Sequence, residues 1–369
     1  MLVRLAAALV ASLVVVLGAP YTGQIRGALQ DAFPGQYRLI LGGIVVGTVA
    51  IGVLTAVTRI KEHRVRRYGT LALAIGSAAL YAYMTATGNA NVDAVERFHL
   101  VEYGALTWLY YRAWRDRGDL TSLVFPGLAT FMVGIFDETF QWLVPGRVGE
   151  LRDVLLNGVS IGCGLIFSLG LEPLGGGTKR TGPTVWIPDR RGRRALAAFA
   201  SAAIVSLAGF FHAVHLGYEV RDPDAGIFLS RYSAAELLEA SRDRATTWQV
   251  DPPRELHRLS IEDHYLAEGV WHVQRRNEVE DKQRVWHENL ILEKYFHPVL
   301  EFPTYSTPGG AKWVPEQRAN NAAAVGTQAQ PYVSTANPYP IYTWNRTLFW
   351  LGVGAVIAAL VSACLLPGR

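Results

Sequence analysis

Cysteine is almost missing from this chain of 369 residues: there are two, Cys163 and Cys364. Both fall in apolar runs, so the polar stretch from 217 to 345 has none and must be held by its own core rather than by disulfides. A thiol at Cys163, enclosed by apolar residues, is unreactive, which argues against a cysteine nucleophile. No Cys-x-x-Cys-His occurs, so covalent c-type haem is excluded. An internal repeat and a heptad run are also absent. The sequence Gly175-Gly-Gly-Thr-Lys179 lacks phosphate-loop spacing and reads as a flexible linker. Charge is scarce as well. With 18% charged and 50% hydrophobic residues and a mean hydropathy of +0.16, the chain is too apolar for an ordinary soluble enzyme of this length.

What is present instead is a series of apolar runs. A helix needs about 20 mostly apolar residues to cross a bilayer, and that template fits 2–19, 38–58, 69–88, 97–113, 121–142, 151–171, 195–216 and 346–366. The expectation is an α-helical polytopic membrane protein of about eight transmembrane helices, with an extracytoplasmic α+β domain inserted before the last. A signal peptide ending at Leu17-Gly18-Ala19 is the alternative for the first run; its length and the following Pro20 favour an anchor. Basic residues cluster after the second run (Arg59, Lys61, Arg64, Arg66, Arg67), the fourth (Arg112, Arg115, Arg117) and the sixth (Lys179, Arg180, Arg190, Arg191, Arg193, Arg194). Cytoplasmic loops carry such excesses, so both termini are expected inside and 217–345 outside a bacterial plasma membrane. The net charge of +4 then reflects topology and not nucleic-acid binding.

Ionisable groups inside such spans cost roughly 2.5–3.5 kcal/mol each and normally mark a site. Three sets occur. His99, Glu102 and Tyr103 share one helical face at i, i+3 and i+4; Glu138 and Gln141 are three apart; Asp153 and Asn157 are four apart, with Pro145-Gly146-Arg147 as the turn between the last two sets. The topology brings all of them to the outer leaflet. They form either a cavity that binds or processes a ligand, or hydrogen bonds and ion pairs that hold three helices together.

The run Phe98-His99-Leu100-Val101-Glu102-Tyr103-Gly104, then Glu138-x-x-Gln141, Pro145-Gly146-Arg147 and Asp153-x-x-x-Asn157 with Gly162, resembles the VanZ-like family of bacterial membrane proteins. The resemblance covers about 38–172. Members often carry an Asp-Lys pair shortly before the His, where this chain has Asp93 and Glu96-Arg97. It implies a membrane architecture, the site residues named above and a link to low-level teicoplanin resistance, rather than a reaction.

The domain plan is therefore a VanZ-like transmembrane domain (1–172), a basic linker (173–194), a span (195–216), the inserted domain (217–345) and a last span (346–369). His212 and His215 are three apart on one helix and are weak metal candidates; two histidines do not make a site, and no metal or other cofactor is expected. In the inserted domain Ser233-Ala-Ala-Glu236 is a capping box that opens a helix to about Thr247. Gly269–Val279 and Arg284–Phe296 read as a β-hairpin with Trp271 and Trp286 paired across it, and the stretch beyond Pro303 reads as extended. Its histidines, His257, His264, His272, His287 and His297, show no ligand spacing. Two function classes follow. In one, Arg147 holds the anionic head of a lipid or lipid-linked precursor while Glu102, Glu138 or Asp153 is available as a base; in the other, the protein is a non-enzymatic scaffold whose outer domain meets an envelope partner. With no nucleophile evident, binding is favoured over lipid-modifying catalysis. The expected partners are membrane lipids, with no nucleic acid.

Overall fold

A computed structural model describes residues 1–33, 35–145, 147–174, 188–253, 261–325 and 331–365. The Gly175–Lys179 linker, His257 and Gly146 lie outside these. The chain divides into two compact units, the first made of Met1–Gln141, Gly149–Gly209 and Trp350–Arg369, the second of Trp142–Val148 and Phe210–Phe349.

The first unit is helical: α1 (Leu2–Ala32), α2 (Tyr37–Arg59), α3 (Arg64–Met84), α4 (Ala90–Trp114), α5 (Thr121–Leu143), α6 (Leu151–Leu171), α7 (Arg190–His215) and α13 (Arg346–Leu365), except that the end of α5 from Trp142, the end of α7 from Phe210 and the start of α13 up to Phe349 belong to the second unit. Six of these, α1, α2, α5, α6, α7 and α13, are long and apolar enough to cross a membrane. The sequence template also included α3 and α4, which are helices of 21 and 25 residues but too polar for that criterion. The reason is visible in the packing. α4 carries Asp93, Glu96, Arg97, Glu102 and Arg112 and packs on α1, α2 and α6, so protein rather than lipid surrounds much of it. α3, which opens on Arg64, Arg66 and Arg67, lies along α6. By contrast α13 has no buried residue and α2 only two, the surface expected of helices that face hydrocarbon. α1 continues through Pro20 to Ala32, well past the 2–19 run. Ser12 and Tyr110 share a hydrogen bond of 2.8 Å that fixes α1 on α4.

The ends of four helices are tied together at Glu172, just past α6. Its buried carboxylate accepts from Arg59 at 2.7 Å and from Arg115, and Arg112 lies 3.6 Å away. Arg67 of α3 donates to the carbonyls of Gly170 (2.9 Å) and Leu171 (2.5 Å), and Tyr111 donates to that of Glu172 at 2.6 Å. Cationic side chains thus satisfy the last carbonyls of α6 and complement its dipole.

The second unit holds the antiparallel pair β1 (Tyr218–Asp222) and β2 (Gly226–Ser230), with Tyr218 opposite Ser230 and Asp222 opposite Gly226, and then α8 (Ala234–Thr247), α9 (His264–Glu278), α10 (Lys282–Tyr295), α11 (His297–Glu301) and α12 (Pro315–Ala323). The Ser233/Glu236 capping box opens α8. The hairpin expected over 269–296 is not there: both segments are helices. Asp263 and Asp281 cap them, each accepting from the second and third backbone N–H beyond it, which favours a helix start over a strand. On α9, Leu266, Val270 and Val273 recur at helical spacing and face Ile291 and Leu292 of α10 in a core completed by Phe228, Leu237, Phe296 and Val299. Trp271 packs edge-on against Tyr339 and Trp286 lies under the Arg318 guanidinium, so the two indoles do not pair. Between Pro303 and Tyr342 the described residues are irregular apart from α12, and Tyr332, Tyr339 and Ile341 are buried.

Within this unit Glu288, fully buried, accepts from His272 Nδ1 at 2.6 Å, Tyr332 Oη at 2.5 Å and Ser334 Oγ at 2.6 Å. The same Tyr332–Ser334 segment brackets Ile227 of β2: Ile227 N–H donates to Tyr332 O at 2.7 Å and Ser334 N–H to Ile227 O at 2.8 Å.

Candidate functional site

The residues singled out on α4, α5 and α6 converge in part. Tyr103 is completely buried and its hydroxyl donates to Asp137 Oδ2 at 2.9 Å, which joins α4 to α5. Gln141 Nε2 donates to the same oxygen at 3.1 Å and reaches Glu138 Oε1 at 3.4 Å. Glu138 has no exposed surface, and its other oxygen accepts from the Glu150 backbone N–H at 3.3 Å, at the start of α6. The helix period explains the pairing: Asp137 and Gln141 are i, i+4 and Glu138 and Gln141 are i, i+3. One turn along α4 from Tyr103, His99 stacks on its ring, with centroids 6.0 Å apart, and places Nδ1 3.7 Å from Glu102 Oε2.

Asn157 of α6 enters the same cluster. Gly134 of α5 makes this possible, because a Cβ there would lie 3.1 Å from Asn157 Nδ2 and 3.3 Å from the Tyr103 ring. Asn157 is fully buried, and among the described residues neither its Nδ2 nor its Oδ1 has a hydrogen-bond partner. Buried amides are almost always paired, and an unpaired buried polar group costs roughly 1–3 kcal/mol.

Asp153 lies within electrostatic range of Glu96 and Glu150, and Arg152 beside it donates to Glu96. Arg147 falls in the Trp142–Val148 segment, which belongs to the second unit. That segment has its own contacts in the second unit: Glu262 N–H donates to Leu143 O at 2.9 Å, and Trp142 stacks on His264 with centroids 4.0 Å apart.

Sequence reasoning passed over Asp137, the acceptor shared by Tyr103 and Gln141. Its signal was present, since it is four residues before Gln141 and next to Glu138. Glu172 was also missed, because an acidic residue among basic loops looks like an ordinary surface group.

His215 is buried, its Nδ1 lies 2.8 Å from the Pro340 carbonyl, and its ring packs against Phe210, Phe211 and Tyr339. Among the described residues no three His, Cys, Asp or Glu side chains are grouped so as to hold a metal ion.

Tyr103, Asp137, Glu138, Gln141 and Asn157 give a water-poor polar cluster that combines acceptors with an unfilled amide. It can bind a group that both donates and accepts hydrogen bonds; it contains no nucleophile of the serine or cysteine type. No curated protein and no solved structure matches the chain. Residues 59–171 match the family model described as VanZ/LLP1, a stretch that runs from the end of α2 to the end of α6 and contains this cluster. The helical core that carries the cluster is therefore similar to the VanZ/LLP1 family.

Proposed function

We propose that this is a multi-pass protein of the bacterial plasma membrane whose VanZ-like core binds a lipid or lipid-linked anionic ligand in the polar cluster of α4, α5 and α6. In this reading α3 and α4 cross the bilayer with the six more apolar helices, both termini are cytoplasmic, the cluster lies in the outer leaflet and 217–345 is extracytoplasmic. The basic residues after α2, α4 and α6 support that orientation. The family's association with teicoplanin resistance makes an envelope lipid or lipid-linked precursor the natural class of ligand, and binding rather than turnover fits a cluster without a nucleophile.

The observation that carries the reading is Asn157. Its amide is buried with neither atom paired among the described residues, beside a Tyr103–Asp137–Gln141 chain whose own bonds are made. A ligand that fills it would recover the roughly 1–3 kcal/mol that the unpaired group costs. A second reading has its own support: the Tyr103–Asp137 bond holds α4 on α5, as polar residues between spans do, so that the core is a scaffold and the inserted domain docks an envelope partner.

The two are separated by lipid extraction and mass spectrometry of the detergent-purified full chain. Binding is supported if the wild type carries lipid in near-stoichiometric amount and Asn157→Leu loses it while melting at or above the wild-type temperature. A wild type free of bound lipid, or an Asn157→Leu protein that retains all of it, refutes the binding reading.

A further inference from the structure

An apolar cavity of about 600 Å³ lies within the first unit, bounded by α2, α3, α4 and α6. Ligand pockets are typically about 300–1,000 Å³, so the space is of ligand size. It arises from small residues: α3 turns Ala74, Ala78 and Ala82 toward it, and Gly52 of α2 and Gly104 of α4 lie across from them. The side chains of Thr48 and Thr55 in the wall donate to carbonyls of their own helix and ask nothing of an occupant. α2 packs on α4 and α3 on α6, while α2 and α3 scarcely touch, so the cavity has a gap on the side between these two helices.

Its two ends differ. At one, Trp108 and Phe167 join Ala56, Ile60, Leu71 and Leu171 in a packed cluster, with Glu172 and its arginines beyond, and the cavity ends blind. At the other stands Arg97, exposed, without a hydrogen bond or ion pair among the described residues. The hydrogen bonds of its acidic neighbours go elsewhere: Asp93, which also feels the Arg97 charge, accepts from the Thr87 N–H and hydroxyl at 2.8 Å, and Glu96 accepts from Arg152. Along α3 the lining runs from Ala74 to Tyr83, which is about 14 Å at 1.5 Å per residue. A bilayer core of about 30 Å gives each leaflet about 15 Å, so the cavity is one leaflet deep.

A blind apolar slot, open at the side, one leaflet deep and cationic at its mouth has the form of a seat for a single hydrocarbon chain below an anionic head. We infer that this cavity holds one acyl chain of an anionic phospholipid, which enters between α2 and α3 and sets its phosphate against Arg97. The inference rests on the proposed lipid-binding function, but it puts the chain on a different face of α4 from the polar cluster.

Trp108 in the wall is the reporter. The full chain in detergent is titrated with phosphatidylglycerol brominated on its acyl chains, and the Trp108 contribution to fluorescence quenching is taken as the difference between the wild type and Trp108→Phe. Saturable quenching of Trp108 is expected. The Ala78→Leu/Ala82→Leu double variant, which fills the slot, should lose it at an unchanged melting temperature, and Ala82→Leu alone serves if the double variant does not fold. Arg97→Gln should lose about tenfold of the preference for brominated phosphatidylglycerol over brominated phosphatidylcholine, the worth of one charge-assisted hydrogen bond. Undiminished Trp108 quenching in the folded, slot-filled variant overturns the inference. If that variant keeps its lipid and Asn157→Leu loses it, the cavity is refuted and the polar cluster stands; the reverse pattern supports the cavity and refutes the cluster.

Discussion

Acid should loosen the second unit through one side chain, His264, and the size of the effect can be worked out. Its ring lies flat on Trp142, 18° from parallel, with the Arg231 guanidinium 5.5 Å from the centre of that indole. Burial first, and then the Arg231 charge, push its pKa down from 6.5 to about 3. The nearby carboxylates do not offset this: Asp263 caps α9 and takes Arg244 at 2.7 Å, and Glu268 takes Arg231 at 3.0 Å. The unfolded chain therefore binds a proton below pH 6.5 that the folded chain refuses. Stability from neutral His264 is complete above about pH 6.5 and is lost as the pH falls toward about 3. At 1.36 kcal/mol per pKa unit the full interval corresponds to about 5 kcal/mol, and partial solvation of the ring lowers the expected figure to about 2–3 kcal/mol. His264→Phe keeps the stack and removes the titration. Urea unfolding of the full chain in detergent, followed by near-UV circular dichroism at pH 7.5, 5.5 and 4.5, should show the two proteins diverging as the pH falls, with the variant the more acid-resistant. Parallel curves across that range would refute the assignment.

Glu288→Ala should lower the stability of the same unit by about 3–5 kcal/mol, since His272, Tyr332 and Ser334 would each lose their acceptor in a buried site; urea midpoints measure this, and protease should then cut first near 331–345. Burial raises the Glu288 pKa, but the hydrogen bonds from His272, Ser334 and Tyr332 outweigh it and leave the pKa lowered. Its contribution is thus present above the ordinary carboxylate range and lost in stronger acid. In the first unit, Gly164→Ala should depress the melting temperature in detergent, because the new methyl would meet Gly104 Cα and O at 2.9 Å, both backbone atoms. Gly158→Ala and Gly162→Ala on the same helix meet nothing within 4 Å and should be neutral or stabilising by a few tenths of a kcal/mol to about 1 kcal/mol. Equal effects at all three positions would contradict the close α4–α6 crossing.

The helical core was legible because apolar runs of span length carry their own signal, and the spacing of His99, Glu102 and Tyr103 puts them side by side on α4. Asp137 was not legible in the same way. A motif that names Glu138 and Gln141 draws attention from the neighbour that accepts from both Tyr103 and Gln141, and only the approach of α4 makes Asp137 the shared acceptor. Arg147 shows a different limit: nothing in Pro145-Gly146-Arg147 reveals that Trp142–Val148 belongs with the inserted domain, since the contacts of Trp142 with His264 and of Leu143 with Glu262 span more than a hundred residues. The segments of α9 and α10 misled for a local reason. Valine, tryptophan and isoleucine give them strand composition, whereas the single caps Asp263 and Asp281 and the three-to-four spacing of the core residues decide for helix.

The neck of the inserted domain has a consequence for how such a chain can change over generations. Gly217 N–H donates to Tyr342 O at 3.0 Å and Tyr342 N–H to His215 O at 2.7 Å, so the strand leaving α7 and the strand returning to α13 run side by side, above a stack of Phe211, Trp344 and Phe349. Some 124 residues (218–341) begin and end within one hydrogen bond of the same point. A stretch with adjoining ends can be gained, lost or exchanged in a single genetic event while the connection between α7 and α13 needs only a short turn to close. The adjoining ends thus let the domain be exchanged as a cassette without breaking the helices on either side of it.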